Sequence, residues 1–411
     1  MAESKTLTGC RSCGCTDLAT VLDLGTTPLA DRMLYEKQLA EHEPTFPLEV
    51  VFCPECALVQ IRETVAPEML FDEDYPYFSS FSTYLLEHSK KNVEEVIAAR
   101  GLDSGSFVIE LASNDGYLLK NYVDHGIPVL GIDPVPALCE AAEKIGVPSR
   151  AEFFGLDVAR KLAAEGKQAD VIHGNNVLAH VADTNGFVAG IAALLKPGGV
   201  AVIEFPYVRD LIDHCEFDTI YHEHLCYFSV TAVDHLMRRH GLFLNDVRRL
   251  PIHGGSLRLF VEKNENPQPG YLALIAEEKE LGLDRLDYYR DFAHRVEALK
   301  ADLAGLLKKL KGEGAHIVAY GAAAKGSTLI NYVGIGTELL DFVADKNVHK
   351  QGRYMPGVHV PIVAAERIAA DNPDYVLLLP WNLESEILAQ EQDFRDRGGK
   401  FIIPVPTPRI V

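Results

Sequence analysis

Short apolar runs ending in small or acidic residues, each followed by a stretch of helical period, recur along this chain. Ser106-Phe107-Val108-Ile109-Glu110-Leu111 reads as a buried strand, and Ala112-Ser113-Asn114-Asp115-Gly116 as a tight turn opening a helix at Tyr117. Upstream, apolar positions keep helical period from Tyr84 to Arg100, with Gly101 as the stop. Downstream lie a strand over Val129 to Asp133, a helix from Pro136 to Gly146, and a third buried strand, Ala169 to Asn176, with polar residues at its C-terminal mouth. A helix from Asp183 to Leu195 stops at Lys196-Pro197-Gly198-Gly199, and Val200 to Phe205 is the next strand. Gly241 to Val247 and Ser256 to Glu262, joined through His253-Gly254-Gly255, read as an antiparallel pair closing the sheet. A charged stretch of helical period, Tyr271 to Lys311, predicts a connector with a solvated face. Beyond it, Ala315 to Tyr320, a small-residue turn from Gly321 to Thr328 opening a helix, and strands at Asp341 to Ala344, Tyr375 to Leu379 and Phe401 to Pro404 predict a second, smaller sheet.

This alternation predicts an α/β fold of parallel sheets whose ligands sit at the C-terminal ends of the strands. The boundaries it suggests are an N-terminal lobe over 1–70, a main domain over 71–270, a helical connector over 271–310 and a C-terminal domain over 311–411.

The first lobe owes its identity to cysteine. Five of the eight cysteines fall within the first 56 residues, and Cys10-Arg11-Ser12-Cys13 and Cys53-Pro54-Glu55-Cys56 form two Cys-x-x-Cys knuckles. Each knuckle aims two thiolates at one point, so Cys10, Cys13, Cys53 and Cys56 predict a structural zinc site with no open coordination position. A redox pair or an iron site is the alternative, and Cys15 could stand in for Cys13.

Composition narrows the partners. The 411 residues carry a formal charge of −20, which leaves no broad basic surface for nucleic acid or anionic lipid. The longest apolar runs, such as Tyr375 to Pro380, are strand-sized, and the first residues lack a secretory core. A cytoplasmic monomer binding neither nucleic acid nor membrane is expected.

Candidate chemistry gathers at the strand mouths. Asp133 follows Asp115 by 18 residues, close to the spacing between a glycine turn and a ribose-binding acid, yet the turn lacks Gly-x-Gly-x-x-Gly. A dinucleotide is therefore disfavoured, and a cationic ligand with an adenosine end suits Glu110, Asp115 and Asp133. The candidate cofactor set is Glu110, Ser113, Asn114, Asp115, Gly116, Asp133, Pro134, Phe153, Asn175 and Asn176. The aromatic stretch Phe71 to Ser82, with Tyr75, Tyr77 and Ser79, is either a hydrophobic clasp or a ligand loop. Asp218 to Ser229 is the richest acid–base run, with Tyr221, His222, Glu223 and His224 in succession; a histidine here can take a proton near neutral pH, Glu223 could fix its tautomer, and Tyr221 could donate to an oxyanion. His180 is a second donor or a core histidine.

The order of Glu110-Leu111-Ala112-Ser113-Asn114-Asp115-Gly116, Gly131-Ile132-Asp133 and Leu194-Leu195-Lys196-Pro197-Gly198-Gly199 resembles the class I S-adenosylmethionine-dependent methyltransferase fold. With the cysteine knuckles, the Tyr221-His222-Glu223-His224 run and His253-Gly254-Gly255-Ser256, the whole chain resembles the nucleotide-sugar C-methyltransferases of deoxysugar biosynthesis, in type the C-3′ methyltransferase of the tetronitrose pathway. That resemblance implies methyl transfer from S-adenosylmethionine to the carbon beside the ketone of a dTDP-linked 4-keto-deoxysugar. It implies His224 as base, with Tyr221, Glu223 and His180 positioning the keto oxygen. It also implies a C-terminal Rossmann-like domain that holds the diphosphate or thymidine end, with Lys325 and Ser327 as the residues to test and Trp381 and Asn382 behind them. Tyr75, Tyr77, Ser79, His222 and His253 complete the candidate substrate set. Methylation at C-5, or of another ketone, is the enzymatic alternative, and a zinc-containing nucleotide sensor the non-enzymatic one. Basic groups such as Lys325 and Arg258 are expected at the cleft to offset the acidic field.

Overall fold

A computed structural model describes residues 4–70 and 78–411 of the chain. Tyr75 and Tyr77 lie outside the described residues, as does the side chain of His253.

The helix expected before the first sheet strand runs Thr83–Arg100. Its limits follow from its sequence: the Ser82 hydroxyl accepts the Leu85 N–H at 3.3 Å, and Gly101, left-handed at φ 59°, ends it. The main sheet has seven strands: Val108–Leu111, Val129–Asp133, Ser149–Ala151, Ala169–Asn175, Leu195–Pro206, Phe243–Leu250 and Ser256–Glu262. Numbered one to seven along the chain, they lie in the order 3-2-1-4-5-7-6. Ser256–Glu262 runs antiparallel to both neighbours, and the first five strands are mutually parallel. This is the arrangement that the class I methyltransferase resemblance implied. The order reverses between Val108–Leu111 and Ala169–Asn175, whose C-terminal ends therefore frame a crevice.

Two local expectations change. The loop predicted at Lys196 to Gly199 is part of a strand, because a register shift lets Leu195 pair with Ala169 and Val200 with Val171. The helix predicted from Tyr117 starts at Leu119, since Gly116, at φ 80°, still belongs to the turn.

The N-terminal lobe is a sheet of Ala19–Pro28, Thr45–Phe52 and Val59–Ile61 with a fourth strand from far along the chain. That strand is Cys226–Tyr227, which pairs antiparallel with Gln60 and Val59. The connector consists of helices Pro269–Leu281 and Phe292–Gly312, divided at left-handed Gly282. It presents the solvated face that its charge pattern predicted, with one exception: Glu278 is fully buried and accepts from the Tyr207 hydroxyl, the Val230 and Thr231 amides and the Thr231 hydroxyl at 2.7–2.8 Å. The C-terminal sheet runs Ile362–Ala364, Val343–Asp345, Ile317–Tyr320, Tyr375–Leu378, Lys400–Ile403 and Arg409–Ile410, parallel but for the last. The apolar core is continuous across these parts. Among the described residues no helix is long and apolar enough to cross a membrane.

Gly131, in the middle of its strand, leaves room that Ser113 of the turn after Val108–Leu111 occupies. A Cβ there would stand 2.5 Å from the Ser113 hydroxyl and 2.8 Å from that of Ser149. Gly131→Ala is therefore expected to cost about 1–3 kcal/mol through overpacking, read as a lower midpoint in urea unfolding at unchanged slope.

Candidate active site

At the crevice, the chain adopts strained backbone where the first and fourth strands end. Ala112, Asn114 and Asn176 are left-handed at φ 55°, 50° and 52° without being glycine, conformations that cost of order 1–3 kcal/mol and persist where surroundings overdetermine them. Two of those surroundings are visible. Asp133 accepts the Asn114 and Val135 amides, each at 2.9 Å, so its first task is to clasp the turn. Ser79 and Ser80 donate their amides to the side chains of Asn114 at 2.9 Å and Asp115 at 3.2 Å, so the 78–81 segment closes over the turn from outside.

Inside this frame, polar atoms wait for a partner. Both oxygens of fully buried Glu110, together with Asp115 Oδ1, Asn175 Oδ1 and Ser113 Oγ, have none among the described residues. Burial, then the charges of Asp133 and Asp115, hold the Glu110 carboxyl well above the usual range. A cluster of buried, mostly acidic groups unpartnered among the described residues fits a ligand that brings cationic and donor groups, as an S-adenosyl sulfonium and amino acid do. Gly116 cannot be enlarged, since a Cβ would meet Ala142 and Val147 at 3.1–3.2 Å. Pro134 follows the clasp half-buried, and Phe153 stands 53% exposed beyond the third strand.

The acid–base run lies between the lobes, and burial sorts its residues. Tyr221 and His224 are half-buried, while His222 and Glu223 are buried. The His224 Nδ1 lies 2.8 Å from the Thr219 carbonyl, which can only accept, so Nδ1 carries the proton and Nε2 keeps the lone pair. The Tyr221 hydroxyl is 3.0 Å from that Nε2. His180 meets His224 edge-to-face, ring centroids 4.7 Å apart, and its burial lowers its pKa to about 4. Glu223 does not fix the tautomer; Thr219 does. Burial, with Asp31 adding to it and Lys350 opposing, pushes the Glu223 carboxyl well above its ordinary range, leaving it a proton to donate. His222 turns to the N-terminal lobe, 3.1 Å from the Pro47 carbonyl and edge-on to Phe46.

The expected cleft cations are placed differently. Arg258 is buried in the main sheet, paired with Glu204 at 2.5 Å and next to His88 at 3.2 Å, so it neutralises the sheet interior and not the cleft. Lys325 lies against the charges of Asp218 and Glu216 and over the Trp381 indole at 4.4 Å. Burial moves Asp218 up to about 6 and Glu216 up to about 8. Ser327 is buried in the first turn of Ala324–Val333, with its hydroxyl unpartnered among the described residues, as is Asn382 Oδ1. Sequence reasoning missed a basic loop after Val343–Asp345: Lys346 reaches Gln390, Lys350 donates to the Ala322 carbonyl at 2.7 Å, and Arg353 binds Tyr35. Its three cations within eight residues were the available signal in so acidic a chain. Asp345 clasps the Ala322 and Asn347 amides at 2.6 and 2.7 Å, as Asp133 does Asn114 and Val135, so both sheets hold their first turn by the same device.

The four knuckle cysteines form a cage. Cys10 and Cys56 Sγ are 3.6 Å apart, Cys13 and Cys53 Sγ 3.4 Å, and all four lie within 4.8 Å of one another. Tetrahedral zinc with Zn–S bonds of about 2.3 Å sets its sulfurs about 3.8 Å apart, so the donors fit. Cys15 turns away, towards the Asp17 carbonyl. Each knuckle closes with an amide four residues on, Gly14 to the Cys10 carbonyl and Ala57 to that of Cys53, both at 2.9 Å.

Residues 84–245 match the family described as a methyltransferase domain, residues 251–406 that of a C-methyltransferase C-terminal domain, and residues 10–71 that of a zinc binding domain. C-methyltransferase NovU of Streptomyces niveus is 36% identical over 98% of this chain and 96% of its own length. The chain belongs to the C-methyltransferase family. A ubiquinone biosynthesis O-methyltransferase of Bartonella bacilliformis is 29% identical over 24% of the chain and 41% of its own length. The PH0226 protein of Pyrococcus horikoshii aligns in structure at a TM-score of 0.38 and 17% identity, over 48% of this chain and 100% of its own. This C-methyltransferase is S-adenosylmethionine-dependent and carries a structural zinc site.

Metal analysis of the purified C-methyltransferase is expected to find one zinc per chain in Cys15→Ser and a loss of zinc in Cys13→Ser. Retention of zinc by Cys13→Ser with loss from Cys15→Ser would reassign the fourth ligand.

Proposed function

We propose that this C-methyltransferase methylates the carbon beside the ketone, C-3′, of a dTDP-linked 4-keto-deoxysugar, with His224 as the base. The observation that carries this reading is the tautomer of His224: Nδ1–H is committed to Thr219, so Nε2 alone can take a proton, on the half-buried face beside Tyr221. A C–H next to a ketone becomes acidic only if the enolate oxygen is stabilised. Removing that proton to His224 Nε2 moves the C–H electron pair into the enolate and its charge onto oxygen. Two donors stand against the base, the Tyr221 hydroxyl and the neutral His180 ring, while the raised Glu223 carboxyl lies towards Asp31 and Lys350. Neutral donors keep a second positive charge away from His224, which would lower the basicity of its Nε2.

S-adenosylmethionine supplies an electrophilic methyl to the enolate carbon. In this reading Glu110, Ser113, Asp115 and Asn175 hold it through their unpartnered acceptors, Asn114, Gly116, Asp133, Pro134 and Asn176 shape its turn, and Phe153 covers its open side. The anionic end of the sugar nucleotide meets the start of Ala324–Val333, where Ser327 offers its hydroxyl and Lys350 a cation beside Ala322. Lys325, already opposed by two carboxylates, contributes less there than the sequence suggested. Deoxysugar and antibiotic biosynthesis is the setting this substrate class implies.

His224→Ala is expected to lower turnover of a dTDP-4-keto-deoxysugar by roughly 10²-fold or more while S-adenosylmethionine still binds in calorimetry; unchanged turnover sinks the reading. The cofactor assignment has a pH signature. The Glu110 carboxyl is protonated far above its usual range in the free protein, and a cationic ligand needs it ionised. Binding therefore releases a proton, and affinity for S-adenosylmethionine weakens as pH falls through the raised pKa, by up to about tenfold per pH unit. Glu110→Gln is expected to flatten that dependence, and a wild-type slope in the variant removes Glu110 from the site.

A further inference from the structure

The short helical turn Phe217–Thr219, which leads into His224, is gripped from the C-terminal domain. Trp381, the only tryptophan in the chain, donates its indole N–H to Asp218 Oδ2 at 2.7 Å. The Lys325 ammonium lies 4.4 Å over the same indole, and Asp218 is fully buried beneath it. The next residue, Thr219, is held at both ends. Its hydroxyl donates to the Glu216 carbonyl at 2.7 Å, and its own carbonyl accepts His224 Nδ1–H at 2.8 Å. Between the C-terminal indole and the basic nitrogen of His224 stand one carboxylate, one peptide group and one imidazole.

The approach to this turn is strained as well. Helix Val208–Asp213 ends with Cys215 in the left-handed region at φ 58°, and the Glu216 amide reaches back to the Leu211 carbonyl at 2.9 Å. A glycine is usual at such a cap, and a buried cysteine is held there by what surrounds it. The turn after it has little regular structure of its own, so outside contacts decide where the Thr219 carbonyl points.

We propose that Trp381 and Asp218 are positioning residues: their hydrogen bond fixes the Thr219 peptide, and that peptide holds His224 in the tautomer that leaves Nε2 basic. This rests on His224 being the base. Lys325 serves the same device, since its charge opposes the burial of the Asp218 carboxylate that the indole N–H and the backbone at Asp218 and Thr219 also stabilise. Docking of the C-terminal domain is then a condition for a competent base, beyond any contact that domain makes with substrate.

The test uses the full-length, zinc-containing enzyme and a dTDP-4-keto-6-deoxyhexose in deuterated water, with exchange of the proton beside the ketone followed by NMR. Trp381→Phe keeps an aromatic ring near Lys325 and removes the N–H donor together with the five-membered ring that carries it. Its exchange rate at saturation is expected to fall about fivefold to tenfold, the size of one ordinary hydrogen bond, with KM within about twofold and the melting temperature close to wild type. Asp218→Asn, which retains a carbonyl acceptor for the indole, is expected to keep most of the rate. A raised KM at unchanged rate would make Trp381 a substrate contact and overturn the proposal, as would wild-type kinetics in Trp381→Phe. If His224→Ala itself exchanges at the wild-type rate, the base assignment fails first; if His224→Ala is inactive and Trp381→Phe normal, only the positioning role fails.

Discussion

Two rungs of antiparallel pairing, Cys226 and Tyr227 against Gln60 and Val59, hold together parts of the chain that are far apart in sequence. The strand is too short to be stable alone. It exists because the zinc knuckles fix the lobe that presents its partner, and because the Ile61 amide extends the ladder to the Leu225 carbonyl. Leu225 follows His224 directly, and its own amide donates to the Ala179 carbonyl, next to His180. The cysteine cage thus braces, through Val59–Ile61, the segment that carries the proposed base. Its knuckle is seated as firmly on the main domain: the Arg11 and Ser12 carbonyls accept from Asn185 and Arg239.

Electrostatics follows the same division of labour. The proposed anionic substrate would need a local reversal of the field set by a formal charge of −20, and the structure places cations by depth. Arg258 and Lys325 are spent on buried carboxylates, where an unpaired charge would be most costly. Lys350 stays near the strand mouths, joined to the Ala322 carbonyl and 3.9 Å from Asp31. A buried carboxyl without a partner among the described residues remains at Glu110, where a cationic methyl donor would favour its ionised form.

The strand and helix pattern was legible where both periodicity and punctuation were present. Val129–Asp133 and Ser256–Glu262 have the bounds that their apolar runs suggest, and Gly101 stops its helix as expected. Where punctuation misled, a three-dimensional compensation was at work: Lys196 to Gly199 looks like a loop but pairs as a strand by shifting register. The Glu/Lys alternation of the connector marked its exposed face correctly but not the burial of Glu278, which depends on four donors that come from Tyr207, Val230 and Thr231.

The sequence by itself determined the chemistry available: four thiols in two knuckles, acids at the ends of alternating strands, and a tyrosine, a glutamate and two histidines in one run. Those follow from residue type and spacing, which are local. The tertiary structure alone decided which imidazole keeps a basic nitrogen, which turns to the zinc lobe, and which carboxyl holds a proton. Those properties depend on the nearest carbonyl and on the water excluded, and the groups that set them come from three separate stretches of chain: Pro47 and Asp31, Thr219, and Lys350 with Trp381. No spacing rule brings such residues together; only the packing of the lobes does.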